Sequence, residues 1–97
     1  MRMIALRTLK QFWKKHPDAE HPLRQWYDDV RRADWKTPQE LRVAYASASV
    51  ISSDRVVFNV KGNAYRIIVR INFHYRIMYI RFIGTHAEYD QVNVKEV

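Results

Sequence analysis

The stretch RVVFNVKGNAYRIIVRIN, residues 55–72, decides the fold. It is dense in Val, Ile, Phe and Tyr, the residues that suit a pleated, half-buried surface. KGN at 61–63 interrupts it once, and Gly62 and Asn63 can both take the positive φ of a tight turn. The stretch therefore reads as two strands joined by a turn. RIMYIRFI, residues 76–83, has the same makeup and supplies a third strand after the less tidy connection FHY at 73–75. The expected arrangement is an antiparallel meander.

Upstream of it the period changes. Met3, Ile4 and Ala5 suit a short first strand. In LRTLKQFWKK, Leu6, Leu9, Phe12 and Trp13 recur at helical spacing, and HPD ends that helix because a residue before proline avoids αR. Asp18 suits the cap of a second helix, whose first turn tolerates Pro22. There Leu23, Trp26, Tyr27 and Val30 form one apolar stripe. Thr37, Pro38 and Glu40 mark the start of a third helix through a capping box. It gives way to YASASVISSD, read as a loop. Trp13, Trp26 and Trp35 fall at core spacing. The expectation is one α+β domain over residues 1–97, with a short N-terminal strand and helices packed on one face of an antiparallel β-sheet.

The composition bounds the chemistry. With 97 residues the chain buries roughly 65% of its unfolded surface, enough for one modest core. Cysteine is absent, which excludes disulfides, thiol catalysis and Cys-based zinc sites. No apolar run reaches the ~18–20 residues of a membrane span, and MRMIALRTLK has no signal-peptide pattern. The expected compartment is the cytoplasm, with no membrane association. In HPDAEHP, His16 and His21 are separated by the break at Pro17 and lack a third ligand, and the acids are too scattered for a two-metal site. No metal or cofactor is expected.

A net charge of +7 favours polyanionic partners: nucleic acid, the ribosome or an acidic protein. The distribution is sharper than the total, because residues 55–81 contain six Lys/Arg and no acid. Strand alternation puts Tyr65, Ile67, Val69 and Ile71 on one face and Arg66, Ile68, Arg70 and Asn72 on the other. In the next strand Met78, Ile80 and Phe82 share the first face, and Ile77, Tyr79, Arg81 and Ile83 the second. With the apolar set turned inward, Arg66, Arg70, Tyr79 and Arg81 gather on the open face. Guanidiniums there can pair with phosphates and rings can stack on bases; equally, a charged face keeps a sheet soluble. GTHAEYD, residues 84–90, would then bring Thr85, His86, Tyr89 and Asp90 to one end of that face. Histidine titrates nearest neutrality of all side chains, so His86 is a candidate proton carrier, against the plainer reading of a surface histidine.

The whole chain resembles the HigB family of toxin–antitoxin toxins, within the broader RelE-like group. The most specific elements are VVFNVKGNAYR (56–66) and RFIGTHAEYD (81–90), both intact. The resemblance implies an endoribonuclease that cleaves messenger RNA, usually on the ribosome, and is neutralised by a cognate helix-turn-helix antitoxin. It carries function onto Lys61, Asn63, Arg66, Arg81, Thr85, His86, Tyr89 and Asp90. Metal-free cleavage needs the 2′-OH deprotonated, the phosphate charge stabilised and the 5′-oxygen protonated. Arg66 and Arg81 are assigned to the phosphate and His86 to proton transfer, with Asp90 orienting it. Tyr89 is its partner, a base-stacking platform or a structural residue; Lys61 is an acid or a grip on the backbone. Asn63, Arg70, Tyr79, Thr85 and Asp90 complete the expected RNA contacts. The alternatives are a non-catalytic RNA- or ribosome-binding module, and a protein-interaction domain that receives an acidic antitoxin segment.

Overall fold

In the computed structural model, which describes residues 1–97, the chain opens with β1 (Arg2–Ile4) and α1 (Leu6–Lys15). A 3-10 turn (Pro17–Ala19) leads into α2 (Glu20–Arg32), followed by α3 (Pro38–Ala44) and β2 (Ser49–Val50). The meander is β3 (Arg55–Val60), β4 (Tyr65–Asn72) and β5 (Ile77–Thr85), and α4 (His86–Tyr89) closes the regular structure. The sheet order is β1-β5-β4-β3-β2. All pairs are antiparallel except β1, which joins β5 in parallel. No helix is long and apolar enough to cross a membrane.

Most elements arise where their residues ask for them. Thr37 accepts from the Glu40 amide at 3.2 Å, and the Glu40 carboxylate accepts from the Thr37 amide at 3.0 Å. The capping box thus satisfies two backbone donors that would otherwise have no partner. Leu9, Leu23, Val30 and Leu41 are fully buried against Val56, Ile67, Val69 and Met78 of the sheet. Each such side chain contributes roughly 1.5–3 kcal/mol. Trp13, Trp26 and Trp35 belong to the same core, with Trp26 edge-on to Phe58 at 5.2 Å.

Four details depart from the sequence reading. The stretch 45–54 is not wholly a loop, because Ser49 and Val50 pair with Val57 and Val56 as a two-residue edge strand. The positive φ values in the β3–β4 turn belong to Lys61 and Gly62, not Asn63. Asp18 does not cap α2; its carboxylate is taken by Lys61 and Tyr65 instead. The fourth is a β-bulge. Ile68 pairs with Phe82 but Val69 pairs with Ile80, which leaves Arg81 as an extra residue. A bulge reverses strand alternation beyond it. Ile83, not Phe82, therefore packs on the main core. Phe82 lies opposite Ile68 on the other face.

That second face is not open along its whole length. Ile68 and Val57 are buried yet stand apart from the main core. The C-terminal segment 91–97 comes back to β3 on this side, where Arg55 donates to the carbonyls of Val94 and Val97. Val92, Val94 and Val97 are half-buried in it.

Candidate active site

The end of β5 shows why a glycine precedes the short helix. Gly84 is buried and pairs with Arg66 across the sheet. A Cβ at this position would lie 2.6 Å from Phe82 Cζ and 3.1 Å from Glu88 Cβ. The bare backbone is what lets α4 fold down against its own strand. Thr85 then starts the helix with a second capping box: its hydroxyl accepts from the Glu88 amide at 3.2 Å and its amide donates to Glu88 at 2.8 Å. That backbone hydrogen bond holds the Glu88 carboxyl below its usual range.

One turn of helix places His86 and Asp90 side by side, as i, i+4 neighbours are. His86 Nδ1 lies 3.2 Å from Asp90 Oδ2, with both side chains about half exposed (51% and 56%). With a proton on Nδ1 that nitrogen donates to Asp90, and Nε2 is the acceptor of the ring. Tyr89, on the same turn, lies under Arg66: the guanidinium carbon is 4.6 Å from the ring centroid. Arg66 Nε is buried and bonds to nothing else in the protein. The ring thus holds Arg66 against the same helical turn that carries His86 and Asp90.

Arg81, Tyr79 and Arg70 share the same face farther along. The bulge keeps Arg81 there, exposed and in no ion pair. Tyr79 faces Arg70 across the β4–β5 pair, and the three residues border one basin. Arg70 Nε is held at 3.1 Å by Asp54.

Lys61 goes elsewhere. Its Nζ sits 2.5 Å from Asp18 Oδ2, while the Tyr65 hydroxyl donates to Asp18 Oδ1 at 2.6 Å. Lys61 and then Tyr65 hold the Asp18 carboxyl below its usual range, and Asp18 in turn pushes the Tyr65 hydroxyl up. His16 adjoins this group, stacked on Phe12 at 4.4 Å and tilted against Tyr65 at 5.6 Å. Tyr65 is also the cross-strand partner of Thr85. The sheet end therefore has two flanks: His16, Asp18, Lys61 and Tyr65 toward the helices, and Arg66, His86, Tyr89 and Asp90 on the far face. Asn63 stays exposed in the turn between them. Sequence reasoning read Asp18 as a cap and so missed its pairing with Lys61 and Tyr65; Tyr65 does belong to the core, as its strand face predicts, and its hydroxyl reaches Asp18 from there.

Residues 19–92 match the family model described as HigB toxin, the RelE-like toxic component of a toxin–antitoxin system. The chain belongs to the HigB toxin family. It is 29% identical over 94 residues to a protein of Escherichia coli O6:H1 named mRNA interferase HigB, covering 95% of this chain and 91% of that one. It is 29% identical over 92 residues to the mRNA interferase toxin HigB of Escherichia coli K12 and to the mRNA interferase HigB of Shigella flexneri, covering 93% of this chain and 88% of each. The matched HigB segment takes in the whole meander, α4, Lys61 and Tyr65, and begins one residue after Asp18.

Proposed function

We propose that this HigB toxin is an endoribonuclease that cleaves messenger RNA by attack of a 2′-OH on the adjacent phosphate. The observation that carries the reading is the pairing, on one turn of α4, of His86–Asp90 with an Arg66 seated on Tyr89. His86 Nε2 takes the proton of the 2′-OH as that oxygen bonds to phosphorus. The bond from phosphorus to the 5′-oxygen breaks, and the departing oxygen takes a proton from water, the site being open to solvent. Arg66 and Arg81 stabilise the charge on the phosphoryl oxygens, so guanidiniums supply what a metal would supply elsewhere. Asp90 positions His86, and Tyr89 positions Arg66. Lys61, tied to Asp18, grips the RNA backbone on the other flank.

Messenger RNA engaged on the ribosome is the proposed substrate, which places the activity in the cytoplasm. The family implies an antitoxin, here proposed to be a helix-turn-helix protein. Induction of the chain alone should arrest growth and leave fragments ending in a 2′,3′-cyclic phosphate and a 5′-OH. Growth arrest without such ends would point to a non-catalytic RNA- or ribosome-binding module; unimpaired growth with intact transcripts would end the toxin reading.

A further inference from the structure

The stretch free of acids begins one residue after Asp54, and that acid lies inside the basic basin. The basin encloses about 560 Å³ and is bordered by Asp54, Arg70, Asn72, Phe73, Tyr79 and Arg81. It is of the size that ligand pockets take, roughly 300–1,000 Å³. A carboxylate at its rim is wrong for a phosphate, which it repels. It is right for the donor edge of a base.

The hydrogen bonds leave that function free. Asp54 Oδ1 accepts from the Ser52 hydroxyl at 2.9 Å and Oδ2 accepts from Arg70 Nε at 3.1 Å. A carboxylate has about four acceptor positions, so each oxygen keeps one. The side chain is 40% exposed. The bond from Ser52, followed by that from Arg70, holds the Asp54 carboxyl below its usual range and so ionised at neutral pH. Arg70 spends only Nε on Asp54, and its terminal nitrogens remain as donors. The Asn72 amide oxygen accepts from the Tyr75 amide at 3.0 Å, which turns the rest of that amide into a donor as well. Tyr79 supplies an exposed ring beside them.

We infer that this basin, resting on the RNA-cleaving reading above, is a base-recognition subsite that selects guanine in single-stranded RNA. Guanine presents N1–H and N2–H₂ as adjacent donors and O6 as an acceptor. A carboxylate can take both donors while a guanidinium gives to O6, and the ring stacks on Tyr79. Adenine has an acceptor at N1, which the Asp54 carboxylate repels. Arg81, unpaired at the bulge, binds the phosphate between this subsite and the Arg66–His86 end. The basin thus reads a nucleotide next to the cleaved bond rather than the bond itself.

The test uses the full chain and four 2′-O-methyl oligonucleotides, UGUU, UAUU, UCUU and UUUU, which cannot be cut because the attacking hydroxyl is blocked. UGUU should bind roughly tenfold more tightly than the other three, the discrimination of one good bidentate contact. Asp54→Asn keeps the shape but offers one acceptor and one donor. It should reduce the guanine preference below about threefold and favour UAUU. Tyr79→Ala should weaken all four by roughly five- to 150-fold. Equal binding of the four, or a guanine preference that survives in Asp54→Asn, overturns the inference and leaves the nuclease reading standing. Failure of every oligonucleotide to bind overturns the inference, while the nuclease reading, whose proposed substrate is engaged on the ribosome, is decided by the induction experiment.

Discussion

Arg66 stacks on Tyr89, its guanidinium carbon 4.6 Å from the ring centroid. The contact joins β4 to α4 across the sheet end, so the arginine is aimed by a residue 23 positions later in the chain. Such a contact is worth about 0.5–2 kcal/mol, enough to orient a side chain that has no hydrogen bond at Nε.

The ring and the hydroxyl of Tyr89 can be separated. Tyr89→Phe keeps the platform and should cleave RNA at close to the wild-type rate. Tyr89→Ala removes it and should slow cleavage roughly 2- to 30-fold, the rate equivalent of the stacking energy. Single-turnover rates check both. If the phenylalanine variant is the slower one, the hydroxyl takes part in the chemistry and Tyr89 is more than a support.

Removing the cation itself should cost more. Arg66→Ala should lower the cleavage rate about 30- to 1000-fold through lost phosphate stabilisation. Arg81→Ala, exposed and unpaired, should do the same with a smaller change in thermal stability, within about 0.5 kcal/mol. Circular dichroism after each substitution checks the fold. Collapse of the Arg81 variant would mean that the bulge depends on its side chain.

Gly84→Ala tests the close approach of α4. The added methyl would meet the Phe82 ring at 2.6 Å and Glu88 Cβ at 3.1 Å. Overpacking of this kind costs roughly 1–3 kcal/mol. Phe82 can turn, but moving it disturbs buried Ile68, its partner across β4 and β5. The melting temperature should fall, and activity should fall further than stability because His86 and Tyr89 move with the helix. Full activity in this variant would show that α4 can shift without consequence.

These positions also show how far the sequence could be read. The hairpin, the Thr37–Glu40 cap and the tryptophan core follow from local composition and spacing, so they were legible. The bulge at Arg81 was not, since a period of two has no way to mark an extra residue. That single irregularity exchanges Phe82 with Ile83 yet keeps Arg81 on the basic face. Val57 and Ile68 pair across β3 and β4 as a second buried patch, and residues 91–97 return to Arg55 of the same strand, a contact across 39 or more positions that no local pattern marks. His86 and Asp90 were visible as helical neighbours only after Thr85 and Glu88 had been seen as a cap. Asp18 looked like a cap from its place before α2; what claims it is Lys61, 43 residues away.

Asp18 gives a pH dependence with a definite sign. Its folded pKa is depressed, chiefly by Lys61. A depressed carboxyl contributes stability that is present above its unfolded pKa, about 3.9, and lost as pH falls through the folded value. Acid unfolding of the wild type should therefore show a loss of stability below about pH 4 that Asp18→Asn lacks. Because the carboxylate is exposed, the effect should also shrink at high salt. Identical acid limbs in the two proteins would mean that the Lys61–Asp18–Tyr65 group does not persist in solution.

The last prediction concerns the proton. His86→Gln keeps a polar side chain on α4 but cannot exchange a proton near neutrality. Cleavage should slow roughly 10²- to 10⁴-fold, as loss of a general base does, while affinity for uncleavable RNA stays nearly unchanged. Asp90→Asn keeps the histidine but exchanges its carboxylate partner for an amide. The rate should fall less, and the pH–rate profile should keep the limb that proton transfer by His86 gives it. The wild-type profile should contain this limb and His86→Gln should lose it. Lys61→Met separates grip from chemistry, because loss of a phosphate contact should weaken binding and reduce its salt dependence without abolishing the limb. An unchanged rate and profile in His86→Gln would pass the proton transfer to the other flank, where Lys61 and Tyr65 share Asp18.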